Sequence, residues 1–227
     1  MVQDKLDLVR LRIEKACLRS KRTPDEVKVV LVTKQVDPSL IKEAYEAGIR
    51  DFGENRVQDW LGKKDELPAD IKWHLIGHLQ TNKTKDWIGQ TELVHSVDSE
   101  RLAETIEAEA AKQNVKVDCL LQVNTSGEQS KFGVAPEGLA KLVGKVSELS
   151  HLQLKGLMTI GPFTEDMSKV RLAFKKLREL FLEMKKKFPA QDWKTLSMGM
   201  SSDFEVAIEE GSTLVRIGTA VFGARKK

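Results

Sequence analysis

The stretch TLSMGMSSDFEVAIEEGSTLVRI, residues 195–217, contains a predicted strand, a helix and a second strand. Residues 195–198 and 213–217 are short apolar runs bounded by glycine, serine and threonine, a pattern typical of buried strands. Residues 203–210 separate them and predict a helix. Two strands joined by a helix are the repeating unit of α/β folds with a parallel sheet.

The same alternation continues toward the amino terminus. Further strands are predicted at residues 27–32, 50–52, 72–76, 93–96, 117–124 and 152–159. Helices are predicted at residues 38–48, 55–67, 83–89, 99–112, 136–149 and 166–188. Eight strands in this alternation predict one α/β domain over residues 1–227, a (β/α)8 TIM-type barrel, with an extra amino-terminal helix at 1–20. An open doubly wound sheet is the alternative, but the first strand lacks a following GxGxxG and the strand count favours closure.

Composition excludes several classes of protein. The 227 residues are 41% hydrophobic and 31% charged, which suits a packed core and argues against disorder. A net charge of +3 is too balanced to indicate nucleic-acid binding. The charged amino terminus is unlike a signal peptide, and the apolar runs are too short for a membrane span, so we expect a cytoplasmic protein. Cys17 and Cys119 lack the spacing of a metal or redox motif.

In a TIM-type barrel, functional residues cluster where the strands end. The polar and small residues expected there are Lys34, Asn55, His74, Gly77, His78, Asn124, Thr159, Arg216, Gly218, Thr219 and residues 197–202. His74 and His78 are four residues apart, as metal ligands on a helix can be, but Gly77 and the strand-to-loop context argue against that site. We therefore predict no metal centre.

Lys34 ends the apolar run VVLVTK, residues 29–34. A lysine that points into the mouth of a barrel is either paired or desolvated, and desolvation lowers its pKa. A neutral amine can form a Schiff base with an aldehyde. The alternative is a lysine that simply extends into solvent.

The loops after the last two predicted strands could bind a phosphate. In SMGMSSD, residues 197–203, Ser201 and Ser202 offer hydroxyl donors near backbone N–H groups. In RIGTAVFG, residues 216–223, Gly218 allows close approach to the backbone and Thr219 can donate. Ordinary turns with serine caps are the alternative for either segment.

Arg216 lies two residues before Gly218 and is expected to point into the barrel. An arginine that faces a pyridine nitrogen keeps that nitrogen unprotonated, since the guanidinium does not give up its proton. A structural ion pair with a carboxylate is the alternative interpretation.

These residues occur within motifs shared with a known family. Six motifs follow one another along the chain: VLVTK (30–34), FGENR (52–56), WHLIGHLQTNK (73–83), SKFGV (130–134), GLMTIGP (156–162) and LSMGMSSDFEVAIEEGSTLVRIGTAVFG (196–223). Together they resemble the pyridoxal-phosphate homeostasis proteins, whose fold is that of the alanine racemase amino-terminal domain. The resemblance covers nearly the whole chain.

The resemblance implies that pyridoxal 5'-phosphate is held as a Schiff base on Lys34. It places Ser201, Gly218 and Thr219 at the phosphate, Arg216 at the pyridine nitrogen, and Asn55 close to the ring. It implies a protein without established catalytic activity that carries and buffers this cofactor, affecting vitamin B6 and amino-acid balance. Apo-enzymes that receive the cofactor are the implied partners, and we expect a monomer.

Two departures from the family motifs concern finer roles. Arg56 follows FGEN where the family usually has tyrosine, and Gln35-Val36-Asp37 stands where it usually has another lysine. The cofactor assignment is unaffected, but a second aldehyde-trapping lysine is not supported.

An amino-acid racemase of the same fold is the alternative function. Two-base racemisation needs a second proton donor on the opposite face of the substrate. Alanine racemases take a tyrosine from an added domain, whereas one barrel is expected to use nearly all of these 227 residues. The single tyrosine, Tyr45, is predicted on the helix after the first strand and away from the mouth. A cofactor-free interaction protein with a relic site is the third hypothesis.

Overall fold

Eight parallel strands form a closed barrel in the order β1 to β8. The computed structural model describes residues 1–128 and 131–224, so the prediction of Ser130 in a polar loop and of a basic tail at 225–227 lies outside the described residues. The strands are β1 (Lys28–Val32), β2 (Asp51–Glu54), β3 (Lys72–Leu75), β4 (Leu93–Val97), β5 (Val117–Gln122), β6 (Leu152–Met158), β7 (Thr195–Met200) and β8 (Leu214–Ile217). All eight predicted strands are confirmed, with shifts of a few residues at their ends.

Helices alternate with the strands on the outside. They are α1 (Val2–Arg19), α2 (Pro38–Glu46), α3 (Val57–Leu61), α4 (Glu100–Gln113), α5 (Leu139–Ser147), α6 (Met167–Lys187), α7 (Phe204–Glu209) and α8 (Thr219–Phe222). The Asp37 carboxylate accepts from the N–H of Ser39 and caps α2, while the Ser99 hydroxyl accepts from Leu102 and caps α4.

Two predicted helices are shorter than expected. The helix predicted at 55–67 is α3 followed by a 3-10 turn, Lys64–Glu66, because Gly62 ends the helix. The helix predicted at 83–89 is instead a 3-10 helix, Thr81–Asp86. There the Thr84 hydroxyl donates to the carbonyl of Thr81 at 2.8 Å, and such local bonds compete with α-helical pairing.

The barrel closes through the pairing of the first strand with the last. Lys28 aligns with Leu214, and Val30 aligns with Arg216. This closure excludes the open doubly wound sheet. It also brings the residues that follow β8 next to those that follow β1, at the carboxyl end of the barrel.

The core has two parts. A small cluster contains only strand residues, Val30, Leu93, Leu120, Met158 and Leu214. Because it joins strands from opposite sides of the barrel, it fills the barrel interior. The larger cluster packs the outer face of the strands against the helices, as expected for this architecture.

The helix α1 packs against α7, α8 and α2. The extra amino-terminal helix predicted at 1–20 therefore lies in the outer ring of helices. Its apolar face, which includes Leu6, Val9 and Ile13, is buried. Arg12 and Arg19 pair with Glu205 and Glu209 of α7 at 2.7 Å each. Since α8 has a single turn, α1 supplies most of the cover for this sector.

Across residues 1–128 and 131–224, none of the helices combines the length and the apolar character needed to cross a lipid bilayer.

Candidate functional site

Lys34 follows β1 by two residues and is half-buried. The next residue, Gln35, has a φ of 58°, so the chain turns sharply directly after Lys34. Lys34 lines a cavity of about 460 Å³ together with Arg56 and Lys63 from the segment after β2. The lysine is therefore accessible at the carboxyl end of the barrel.

A buried carboxylate lies next to Lys34 in the fold. Oε1 of Glu54 accepts hydrogen bonds from the Thr33 hydroxyl at 2.6 Å and from the Lys63 ammonium at 2.7 Å. The Glu54 side chain is fully buried, and its Oε2 has no hydrogen-bond partner in the described part of the chain. The sequence analysis missed this glutamate, although an acidic residue directly after the apolar end of a strand is a signal that could have identified it.

Asn55 ends the FGEN motif and is half-buried. Its backbone is held against Gly77, where an added Cβ would lie 2.3 Å from the Asn55 carbonyl oxygen. The carbonyl of Gly77 in turn accepts from the Ser96 hydroxyl at 2.6 Å. The glycine of WHLIGH therefore permits the close approach that fixes Asn55 at the mouth of the barrel.

The loops after β7 and β8 meet through Ser201. Its Oγ accepts from the backbone N–H of Gly218 at 3.1 Å and of Ala220 at 3.2 Å. Gly218 lies against Val32 of β1, since an added Cβ would be 3.4 Å from the Val32 Cβ. Thr219 is exposed beside them. The structure thus brings Ser201, Gly218 and Thr219 together next to the end of the strand that leads to Lys34.

Arg216 points into the barrel, as the sequence predicts, and is 4% exposed. Its Nη1 donates to the Ser197 hydroxyl at 2.6 Å and its Nη2 to the Thr159 carbonyl at 2.9 Å. Burial lowers the pKa of Arg216 to about 10, so the guanidinium remains charged at neutral pH. Both of these hydrogen-bond partners are neutral groups. Among the described residues Arg216 therefore does not form the direct ion pair with a carboxylate that was the alternative interpretation. An arginine has five N–H donors, so donors remain for a group at the mouth.

Asp203 is a buried carboxylate that the sequence analysis treated only as a helix residue. Its Oδ1 accepts from the backbone N–H of Met200 at 2.6 Å. Burial raises the pKa of Asp203, while that hydrogen bond and the charge of Arg216 act in the opposite direction. The carboxylate closes the turn that carries Ser201 and gives the buried guanidinium a nearby counter-charge.

His74 and His78 have different surroundings. His74 lies within β3 and inside the barrel, with its Nε2 2.9 Å from Oδ1 of Asp51, so its predicted position at the strand end is wrong. The imidazole of His78 is 3.2 Å from an Asp98 oxygen and stacks on Phe132. Within the described ranges, there is no group of three or more His, Cys, Asp or Glu side chains suited to a metal ion.

The loop after β5 bonds mainly within itself. Asn124 donates from Nδ2 to the Glu128 carbonyl at 2.9 Å and accepts from the Ser126 hydroxyl and the Gly127 N–H. The ammonium of Lys131 binds the Glu128 carboxylate at 2.9 Å and the Gly161 carbonyl at 2.6 Å. Asn124 therefore acts as a loop organiser.

Tyr45 lies far from the mouth of the barrel. Its hydroxyl donates to Asp70 at 2.6 Å, and Asp70 precedes β3 at the amino end of the strands. The Arg50 guanidinium lies over its ring at 3.8 Å from the ring centre. The one tyrosine of the sequence is thus used to join α2 to the loop before β3.

Comparison with known proteins is consistent with this geometry. Residues 6–226 match the family described as alanine racemase, N-terminal domain. A "Pyridoxal phosphate homeostasis protein" from Aquifex aeolicus is 46% identical over 224 residues, which cover 98% of each chain. The chain belongs to the pyridoxal phosphate homeostasis protein family. The resemblance inferred from the motifs is confirmed.

Solved structures agree in fold. The structure of PipY from Synechococcus elongatus PCC7942 with PLP bound has a TM-score of 0.85 and 35% identity, covering 98% of this chain and all of PipY. An alanine racemase from Clostridium difficile 630 has a TM-score of 0.76 at 14% identity, and the match spans 57% of the racemase chain. The second likeness supports the barrel fold alone.

Proposed function

We propose that this protein binds pyridoxal 5'-phosphate, carries it and buffers its free concentration, with the cofactor held as a Schiff base on Lys34. The observation that carries the proposal is the junction of Ser201 with the N–H groups of Gly218 and Ala220, beside the buried Arg216. A full-length relative, PipY, has been solved with PLP bound.

The residues at the carboxyl end of the barrel fit the chemistry of this cofactor. The phosphate matches the hydroxyls of Ser201 and Thr219 and the backbone N–H of Gly218, since clustered N–H and O–H donors suit an anion. The pyridine nitrogen matches Arg216, and the aldehyde matches the amine of Lys34. Asn55 is held at the same rim by its contact with Gly77.

The fixed charge of Arg216 limits how strongly the ring of the bound cofactor can withdraw electrons. The bound cofactor supplies a reactive aldehyde and a ring that can withdraw electrons. That withdrawal is strongest when the ring nitrogen is protonated, and a guanidinium donates a hydrogen bond without transferring its proton. Arg216, bonded to Ser197 and Thr159, therefore keeps the ring a weak electron sink. A racemase of this fold tolerates the same arginine, so the preference for a carrier rests on Tyr45, the one tyrosine of the sequence, which is bonded to Asp70 and not placed at the mouth.

Release to apo-enzymes is the second half of the proposal. Lys34 is only half-buried and lines an open cavity, so an incoming amine or a recipient protein has access to it. We infer a monomer that acts in the cytoplasm. Both cysteines are free and buried, which suits a reducing compartment.

Borohydride reduction followed by peptide mass spectrometry tests the attachment. Protein loaded with pyridoxal phosphate and then reduced should carry the phosphopyridoxyl mass on Lys34, together with an imine absorbance before reduction. Lys34→Ala should lose both signals. Lys42→Ala, an exposed lysine on α2, is the matched control and should keep them. A label on another lysine of the wild-type protein, or no label, contradicts the proposal.

A further inference from the structure

A row of polar side chains crosses the interior of the barrel. Nη1 of Arg216 lies 2.6 Å from Oγ of Ser197, and this oxygen lies 2.9 Å from Nδ1 of His95. Nε2 of His95 lies 3.0 Å from Nδ1 of His74. Nε2 of His74 lies 2.9 Å from Oδ1 of Asp51. We call these five residues the interior chain.

The interior chain joins the two ends of the barrel. Arg216 is bonded to the carbonyl of Thr159, which follows the last residue of β6 at the carboxyl end. Asp51 is the first residue of β2, and its Oδ1 is 3.3 Å from the Lys28 ammonium at the amino end. The interior chain therefore has a guanidinium at one end and a carboxylate at the other, with a serine hydroxyl and two imidazole rings between them.

The carboxylate sets the direction of the hydrogen bonds. Burial alone would raise the pKa of Asp51, but its hydrogen bonds to His74 and Lys28 and the charge of Lys28 act in the opposite direction, and the pKa is lowered. An ionised carboxylate only accepts, so Nε2 of His74 carries a proton. With that single proton on its ring, His74 accepts at the other nitrogen, Nδ1.

The donor at each hydrogen bond determines the donor at the next one along the interior chain. Because Nδ1 of His74 accepts, Nε2 of His95 must donate, and the Nδ1 of a neutral His95 is left to accept. Burial, reinforced by nearby positive charge, lowers the pKa of His95 well below its usual value, in agreement with a neutral ring. The Ser197 hydroxyl then donates to His95, and its lone pair accepts from Arg216. Each contact along the interior chain therefore joins one donor to one acceptor.

We propose that Ser197, His95, His74 and Asp51 are positioning residues that fix Arg216 for the ring nitrogen of the cofactor. This inference rests on the proposed function of the site. The carboxylate at the amino end of the barrel selects the tautomers of both histidines and so keeps the Ser197 oxygen free to accept from the guanidinium. Arg216 is thereby held by a row of side chains from four other strands, β2, β3, β4 and β7.

The arrangement has a physical purpose beyond filling the interior. Apolar residues fill the neighbouring positions, for example Leu93 and Leu120, and buried polar groups are costly unless they are paired. An arginine side chain is long and flexible, so a charge without fixed acceptors would not hold one orientation. A fully paired network defines that orientation.

Binding and absorbance of variants in the folded protein test the role of Ser197. Ser197→Ala should raise the Kd for pyridoxal phosphate about tenfold and shift the absorbance maximum of the bound cofactor. Ser197→Thr, which keeps the hydroxyl, should restore both to near the wild-type values. Ser212→Ala is the matched control, since Ser212 is a buried serine bonded only to backbone carbonyls. It should lower stability without moving the absorbance.

The distal end is tested with His74→Phe, which removes the acceptor of His95. We expect a threefold or larger rise in Kd and an absorbance shift in the same direction as in Ser197→Ala, although three hydrogen bonds separate His74 from the guanidinium. Nitrogen-15 NMR of the cofactor-free wild type supplies a readout that does not depend on folding of the variants. His95 should be neutral, and both His74 and His95 should carry a proton on Nε2 and none on Nδ1. His151, whose Nδ1 faces Glu107, should carry a proton on Nδ1 and serves as the internal reference.

A proton on Nδ1 of His74 or His95 in the wild type overturns the proposal. Unchanged Kd and absorbance in Ser197→Ala, in protein that still labels at Lys34, also overturn it and leave the carrier function standing. Failure of the wild type to label at Lys34 counts instead against the proposed function.

Discussion

At the scale of single residues, the hydroxyl of Ser201 joins two loops and defines the proposed phosphate position. In this structure it accepts from two backbone N–H groups, of Gly218 and Ala220. Hydroxyl and N–H groups that already converge need little reorganisation to receive an anion. The neighbouring Ser202 is exposed and provides a natural comparison.

We expect Ser201→Ala to raise the Kd for pyridoxal phosphate about tenfold to a hundredfold. The reason is that a hydrogen bond to a charged group contributes about 1.5–3 kcal/mol. Absorbance titration of the cofactor measures the change. The Kd of Ser202→Ala should stay within about twofold of the wild-type value, because substitutions at exposed positions usually change free energies by little. Equal losses in the two variants would place the phosphate elsewhere.

Gly77 is the second residue whose role can be tested directly. Its Cα lies so close to Asn55 that an added Cβ would be 2.3 Å from the Asn55 carbonyl oxygen. Gly77→Ala should therefore lower the free energy of unfolding by about 1–3 kcal/mol, as overpacking does, and weaken cofactor binding. Urea denaturation and titration measure the two effects. Gly62→Ala, where the new Cβ would be 3.4 Å from its nearest neighbour, should change stability by less than about 1 kcal/mol.

At the scale of elements, α1 acts as part of the outer ring of helices. Leu6 and Leu8 lie on opposite faces of it, with 2% and 61% of their surfaces exposed. Leu6→Ala should lower the free energy of unfolding by about 2–5 kcal/mol, because it leaves a cavity between α1 and the barrel. Leu8→Ala should change it by less than about 0.5 kcal/mol. Equal values in denaturation experiments would show that α1 is not docked in solution.

A second link between elements depends on pH. Glu107 of α4 accepts from the backbone N–H groups of Ser150, His151 and Leu152 at the start of β6, at 3.2, 2.8 and 2.9 Å. Partial burial acts to raise its pKa, but the hydrogen bonds to the side chain and backbone of His151 and to its neighbours outweigh this and lower the pKa. The charged form of Glu107 is therefore favoured by folding.

The sign of the pH effect follows from that lowered pKa. A glutamate in the unfolded chain has a pKa of about 4.3. The stabilisation that Glu107 gives the folded protein is therefore fully present above that pH, and it is lost as the pH falls through the lower pKa of the folded state. Glu107→Gln should cost about 1–3 kcal/mol at pH 7, and the difference from wild type should shrink below about pH 4. Denaturation at several pH values measures it. The exposed Glu104→Gln should show no such dependence.

At the scale of the whole molecule, the sequence predicted the barrel because its strands are short apolar runs between helices. VVLVTK and VDCLLQV are β-branched and bounded by polar residues, so they could be assigned one at a time. It also predicted the carboxyl end as the functional face, since that property belongs to the fold class. Arg216, Ser201 and Gly218 were found on this basis and lie together in the structure.

The interior chain could not be predicted in the same way. Its residues come from β2, β3, β4, β7 and β8, and they meet only after the barrel closes with a particular stagger between strands. Local sequence shows that His74 and His95 lie in strands but does not show which end of the barrel each side chain reaches. The buried position of Glu54 was not predicted for a similar reason, because Lys63, which binds its Oε1, lies beyond a helix.

The position of Tyr45 bears on the alternative of a racemase. Two-base racemisation needs a proton donor facing the substrate from the side opposite Lys34. Tyr45 is bonded to Asp70 at the amino end of the barrel, and this hydrogen bond raises the pKa of its hydroxyl. We therefore expect the loaded protein to racemise alanine no faster than a Lys34→Ala control, measured by chiral chromatography of D- and L-alanine. Turnover well above that control would identify an enzyme, and if Tyr45→Phe left such turnover unchanged, the second donor would be another residue at the mouth.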